Sequence, residues 1–215
     1  MLRVDFCPER GLRVLCLGAH SDDIEIGCGG TLLRVINRNK NISFYWIVFS
    51  ADKKRAEEAF ASANSFLAGT RDKRVEVLNY RESFFPYLGS DIKEFFERLK
   101  EKYDPNLIFT HFRQDLHQDH RLISDLTWNT FRNHLILEYE IFKYDGDLGS
   151  PNFLVPLENS ICLKKIRLIR EHFKSQRKRQ WFSGDVFLSL LKLRGVEANS
   201  PTGYAEGFYA RKILY

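Results

Sequence analysis

The chain lacks any apolar run near the roughly 18 residues that a membrane-spanning helix requires. Asp5, Cys7, Pro8 and Glu9 interrupt Met1 to Arg10 before a signal-peptide core can form. The reading is a cytoplasmic protein without a transmembrane segment. Its four cysteines, at 7, 16, 28 and 162, include no Cys-x-x-Cys pair. That argues against a zinc ribbon, a thioredoxin-like motif and a disulfide framework; Cys16 in an apolar run and Cys28 among glycines read as small buried thiols. Gly27-Cys28-Gly29-Gly30 lacks both the Gly-x-Gly-x-x-Gly spacing and the Gly-Lys-Ser/Thr ending of phosphate-binding loops, so a tight strand-to-helix turn is expected there. No internal repeat, low-complexity tract or linker is visible. The net charge of +5 is modest. It suits an anionic small molecule or a headgroup surface and does not call for nucleic acid.

What is present fits one domain spanning 1–215, with 44% hydrophobic and 28% charged residues. Strand-like and helix-like runs alternate through the first two thirds, as in βαβ units around a mostly parallel sheet. Strands are expected at Val14 to Ala19, Ile42 to Phe49, Val75 to Tyr80, Leu107 to His111 and Glu138 to Tyr144. Helices are expected over Thr31 to Arg38, Asp52 to Leu67, a stretch from Ser90 to Asp104-Pro105, and His120 to His134. Asp145 to Pro151 reads as a loop. The last third is less regular, with helices over Ile161 to Phe173 and Val186 to Leu193 and an extended segment from Gly203 to Leu214.

Two polar segments each follow a predicted strand. One is Gly18-Ala19-His20-Ser21-Asp22-Asp23-Ile24-Glu25; the other is Thr110-His111-Phe112-Arg113-Gln114-Asp115-Leu116-His117-Gln118-Asp119-His120. In open α/β sheets ligands collect beyond the carboxyl ends of the strands, so both loops can border one crevice. A catalytic zinc takes three protein ligands and leaves a position for water. His20 and Asp23, three residues apart in one turn, can reach one ion, and His120 can add a third ligand. Of the neighbouring carboxylates Asp22 and Asp23, one can then bind metal while the other takes a proton from the attacking water. His117 can hydrogen-bond an oxyanion or protonate a leaving amine. Asp119 can hold the imidazole of His117 in the useful tautomer, and Asp115 is a weaker candidate to support a ligand. A lone His-x-x-Asp more often caps a helix, and a lone His-x-x-His occurs by chance. Two such pairs, each placed after a strand, point to a metal site.

The segments resemble the signatures of the PIG-L/LmbE-like family of zinc-dependent N-acetylglucosaminyl deacetylases. Ala19-His20-Ser21-Asp22-Asp23-Ile24-Glu25 is similar to the family's Ala-His-Pro-Asp-Asp-Glu, and His117-Gln118-Asp119-His120 to its His-x-Asp-His. The glycines before Thr31, Arg55 and Glu58 of the second helix, and Tyr204-Ala205-Glu206-Gly207-Phe208 extend the likeness over most of the chain. The resemblance implies an α/β fold, a Rossmann-like three-layer sandwich with a mostly parallel sheet. It implies zinc on His20, Asp23 and His120, Asp22 as general base, and His117, supported by Asp119, as electrostatic stabiliser or acid. Arg55 would lie near the sugar-binding face. Ser21 replaces the family's proline, and Ile24 stands at its glutamate, with Glu25 one place later.

The expected function is therefore removal of the N-acetyl group from an N-acetylglucosamine-containing small molecule or glycoconjugate. The alternatives are an amidase on a thiol conjugate or antibiotic intermediate, and a non-catalytic module binding metal or a nucleotide sugar. Fe2+, Co2+ or Mn2+ would suit the same ligands as Zn2+, and a homo-oligomer is compatible with the sequence. The basic run Lys174 to Arg179, with Lys164, Lys165, Arg167 and Arg170 before it, reads as a solvated helix face; a minority reading puts it at a lipid headgroup, a diphosphate or a nucleotide sugar. Phe84-Phe85-Pro86-Tyr87 and Trp181-Phe182 can stack on a sugar, with core or interface packing a reading of at least equal weight. His111, His134 and His172 read as structural, with His111 nearest the site.

Overall fold

The structure, a computed structural model, describes residues 11–39 and 41–213. The expectations for Met1 to Arg10, Cys7 included, and for Leu214 lie outside the described residues.

Strands apolar on both faces must be covered on both sides. In β1 (Leu12–Gly18), Val14 and Cys16 join one core cluster and Leu15 and Leu17 the other. The same division runs through β2 (Ile42–Val48), with Phe44 and Trp46 against Tyr45 and Ile47. With β3 (Asp72–Val77), β4 (Leu107–His111), β5 (Leu135–Tyr139), β6 (Phe153–Pro156) and β7 (Ala205–Ala210), these strands form a seven-stranded sheet in the order β3-β2-β1-β4-β5-β7-β6. The first five are parallel, and β7 runs antiparallel to β5 and β6. One face is covered by α1 (Asp23–Arg38), α2 (Lys53–Phe66), α5 (Asn159–His172) and α6 (Gly184–Glu197), the other by α3 (Gly89–Lys102) and α4 (Gln118–Thr130). The result is the expected α/β sandwich of three layers. β1 lies between β2 and β4, so the chain reverses direction across the sheet there and opens a crevice beyond the ends of β1 and β4.

Several local expectations shift. The helix expected from Thr31 begins at Asp23, so Gly27 to Gly30 lie inside α1 and do not form a turn. Close packing explains them. A Cβ on Gly27 would sit 2.2 Å from the Tyr139 ring, and one on Gly29 2.6 Å from Phe66. The strand expected at Glu138 to Tyr144 lies earlier, as β5, and β6 forms in a stretch where the sequence predicts no element.

Lys165 does not belong to a solvated face. It is 3% exposed, and its Nζ donates to Glu206 Oε1 at 2.6 Å and to the Ile26 carbonyl at 2.6 Å. Glu206 in turn accepts from the Gly30 and Thr31 amides at 2.8 and 2.6 Å. The ion pair thus engages a carbonyl and an amide of α1 four residues apart and clamps β7 and α5 to the motif helix. Glu58 accepts from the amide and hydroxyl of Ser175, which ties the start of the basic run to α2. Cys16, Cys28 and Cys162 are buried free thiols. Among the described residues no helix is long and apolar enough to cross a membrane.

Candidate metal centre

β1 ends at Gly18, and the next four residues turn into α1. The carbonyls of Gly18 and Ala19 accept from the amides of Phe49 and Ser50 at 2.9 Å, which fixes the start of this turn beside the end of β2. Likewise β4 ends at His111, and α4 is capped by His117, whose Nδ1 accepts from the Asp119 amide at 3.2 Å. The two loops meet. His20 Nδ1 lies 3.1 Å from His120 Nε2 and 3.4 Å from Asp23 Oδ2, and His120 Nε2 lies 3.5 Å from the same Asp23 oxygen.

Those separations test the fit of an ion. Tetrahedral zinc with His and carboxylate bonds of about 2.0–2.2 Å holds its donors roughly 3.3–3.6 Å apart. Two of the three separations, 3.4 and 3.5 Å, fall within that range and the third, at 3.1 Å, is slightly shorter; the donors' chemistry suits zinc, iron, cobalt or manganese. His111, read as structural, stands against the same cluster: its Nε2 is 3.2 Å from Asp23 Oδ2, and its ring stacks on His120 with centroids 3.9 Å apart. Asp23, His111 and His120 form one group of potential ligands, and His20, His117 and His120 another. The place of His111 at the last residue of β4 was the available signal, since strand ends line the crevice.

Each histidine of the close trio has its other nitrogen on a carboxylate. His120 Nδ1 lies 2.9 Å from Asp115 Oδ2, which is also 3.0 Å from Lys143 Nζ. His20 Nε2 lies 3.2 Å from Asp119 Oδ2. Such partners fix the ring tautomer and strengthen the nitrogen that faces a metal. The expected contact of the Asp119 carboxylate with His117 is not formed. The carboxylate instead lies against His20, because its position at the start of α4 points the side chain toward His20 and the amides of Ser83 and Phe85, at 2.6 and 3.1 Å. Only its backbone N–H reaches His117.

Burial opposes charge on His20, yet Asp23 and Asp119 outweigh it and raise its pKa to about 10. Burial and the neighbouring His111 lower His120 to about 3, which favours the neutral ring. Burial works against ionised Asp23, but His120, His111 and His20 hold its carboxyl well below the usual range.

Asp22 differs from its neighbour. Burial raises its pKa to about 6 against the pull of Arg55. Its Oδ1 lies 3.2 Å from Arg55 Nη2, while its buried Oδ2 has no hydrogen-bond partner. Arg55, expected on a sugar-binding face, is thus paired with Asp22, and its Nη1 reaches Glu82 at 3.1 Å. Arg55 occupies the first turn of α2, where its amide donates to the Asp52 cap at 2.8 Å. His117 is half-buried, and burial followed by His20 lowers its pKa. Because Nδ1 accepts, the neutral ring carries its proton on Nε2. Ile24 is core, and Glu25 is fully buried in α1 with both oxygens unpartnered. Of the aromatic segment, Phe85 is buried beneath His20 with ring centroids 6.1 Å apart, and Tyr87 is 80% exposed.

Several known structures share the fold. A conserved protein from Thermus thermophilus superimposes with a TM-score of 0.73 at 18% identity, over 95% of this chain and 97% of that one. The N,N'-diacetylchitobiose deacetylase of Pyrococcus horikoshii gives 0.66 at 21% identity, over 92% and 83%. The 4-carboxy-2-hydroxymuconate hydratase of Pseudomonas putida gives 0.67 at 15% identity, over 95% and 98%. A hydratase on this fold means that the architecture alone does not name the reaction. The sequence matches the PIG-L family, described as GlcNAc-PI de-N-acetylase, over residues 15–131, more than half of the chain and the part that carries both motif loops. The protein belongs to the PIG-L family.

Proposed function

We propose that the protein is a divalent-metal-dependent N-deacetylase that hydrolyses the acetamide of an N-acetylglucosamine-containing small molecule or glycoconjugate, releasing acetate and a free amine. The observation that carries this reading is the unpartnered, buried Oδ2 of Asp22, the residue next to Asp23, whose Oδ2 lies 3.4 and 3.5 Å from the facing nitrogens of His20 and His120. A binding site needs no such spare carboxylate; a hydrolase does. The family description supports the amide bond as the target.

His20 Nδ1, Asp23 Oδ2 and His120 Nε2 would hold the metal, with zinc the first expectation. When bound, a divalent ion supplies Lewis acidity toward the carbonyl and acidifies water in its reach. Asp22 Oδ2 takes a proton from the attacking water as its oxygen bonds to the carbonyl carbon, and a carboxylate pKa raised to about 6 suits a base at neutral pH. Arg55 fixes the other oxygen of Asp22. His117 Nε2–H donates to the oxyanion, a role for which a neutral ring is suited. Asp22 returns its proton to the nitrogen as the C–N bond breaks, so acetate leaves with an amine.

The test combines metal analysis of the purified protein with acetate release from a panel of N-acetyl sugars and non-sugar amides. Asp22→Asn is expected to keep the metal and to slow turnover by about 100-fold or more. A fully active Asp22→Asn enzyme overturns the assigned base, and release from non-sugar amides alone overturns the sugar substrate.

A further inference from the structure

Neither motif loop includes residues 82–85, yet this segment touches the supports of both. Ser83 sits in the left-handed region at φ 66°, a conformation that a non-glycine residue adopts only when its surroundings hold it. In that conformation the amides of Ser83 and Phe85 converge on the two oxygens of Asp119, at 2.6 and 3.1 Å. Asp119 Oδ2 is the same oxygen that faces His20 Nε2 at 3.2 Å. The Ser83 carbonyl accepts from the Gln118 side chain, which secures the segment to the start of α4. One residue earlier, Glu82 Oε2 lies 3.1 Å from Arg55 Nη1, and Arg55 Nη2 lies 3.2 Å from Asp22 Oδ1. Phe85 anchors the far end, fully buried in the core against Tyr80, with ring centroids 6.4 Å apart.

The geometry points to Glu82–Phe85 as a strap that positions both halves of the centre: through Ser83 and Phe85 it holds Asp119 against His20, and through Glu82 it holds Arg55 against Asp22. The strap rests on the proposed metal hydrolase for the meaning of its two ends, but its hydrogen bonds separate them. One end governs a metal ligand and the other the base. Glu82 is half exposed, so its ion pair with Arg55 is weak as a source of stability. Its value lies in direction, since the largely buried guanidinium has a carboxylate at each end and one orientation between them. Ser83 and Phe85 act by backbone N–H groups, so the serine hydroxyl is irrelevant and the left-handed turn is what matters.

Ser83→Gly, Ser83→Pro and Glu82→Gln in the full chain test this. Glycine adopts φ near 66° freely and keeps the N–H, so Ser83→Gly is expected to bind zinc as the unaltered protein does. Proline locks φ near about −65° and removes the N–H. Ser83→Pro should weaken zinc binding, measured by chelator competition, by about 10- to 100-fold, the usual effect of losing a ligand's orienting partner. Glu82→Gln should leave zinc affinity unchanged and lower kcat on the order of 10-fold at unchanged KM, as misplacement of a base does. Zinc affinity unchanged in Ser83→Pro overturns the first end of the strap. Unchanged kcat in Glu82→Gln, or a rise in KM alone, overturns the second, the latter by making Glu82 a substrate contact. If Ser83→Pro does not fold, Ser83→Val, which keeps the N–H but disfavours the left-handed region, reads the first end, and unchanged zinc affinity there overturns it. Should the zinc-loaded parent protein release no acetate, the proposed function fails while the zinc measurements still read the strap.

Discussion

His20 Nδ1 and His120 Nε2 face each other at 3.1 Å although 100 residues separate them in the chain. Behind each ring stands a carboxylate, Asp119 for His20 and Asp115 for His120. The two histidines are thus turned toward a common point from opposite loops, each braced from the rear, and Asp23 closes the third side.

This bracing predicts a graded response. His120→Ala and Asp23→Ala should lose bound metal and turnover together, because each removes a donor atom. Asp119→Asn should keep the donors and weaken metal affinity by about 10- to 100-fold, read by chelator competition. If Asp119→Asn left metal affinity intact and lowered only kcat, its main partner would be His117 and not His20.

Glu25 carries a prediction for stability against pH. It is fully buried in α1, and burial pushes its carboxyl well above the ordinary glutamate range. A raised carboxyl keeps its proton in the folded chain at a pH where the unfolded chain has released it. The folded state is therefore favoured at low pH and loses that advantage as pH rises past the unfolded glutamate value. Glu25→Gln removes the ionisation, so its unfolding midpoint relative to the parent should rise between about pH 5 and pH 8. A constant difference across that range would show that Glu25 ionises alike in both states.

The buried Lys165–Glu206 pair carries another. Lys165→Met leaves Glu206 as an uncompensated buried charge and should destabilise by about 3–5 kcal/mol in urea unfolding. Replacing both residues by apolar ones should recover only part of that loss, because the Gly30 and Thr31 amides also lose the Glu206 carboxylate as an acceptor. Full recovery would mean that those amides find another partner.

The alternation of strands and helices, and the two polar loops at strand ends, could be read from the chain itself. Hydrophobic period is a local property, and a run such as Val14 to Leu17 carries it without reference to anything distant. The donor residues stood out for the same reason: His20, Asp22 and Asp23 break an apolar pattern within one turn. Element boundaries also follow local signals, which close packing can override. Gly27 to Gly30 suggested a turn because glycine is permissive, whereas here it admits Tyr139 and Phe66 against a helix.

Partnership was another matter. Which nitrogen of His20 faces the cluster, why Asp119 serves His20 and not its near neighbour His117, how His111 reaches Asp23, and why Lys165 is buried all depend on atoms brought together from remote parts of the chain. The segment 82–85 had no motif to announce it, since it acts largely through backbone amides that nearly every residue possesses. Residue types and their spacing therefore settled which groups were available for chemistry, and only the packing of the sheet's two faces decided which of them meet, because hydrogen bonds and metal spacing are set to within tenths of an ångström by contacts that no local pattern encodes.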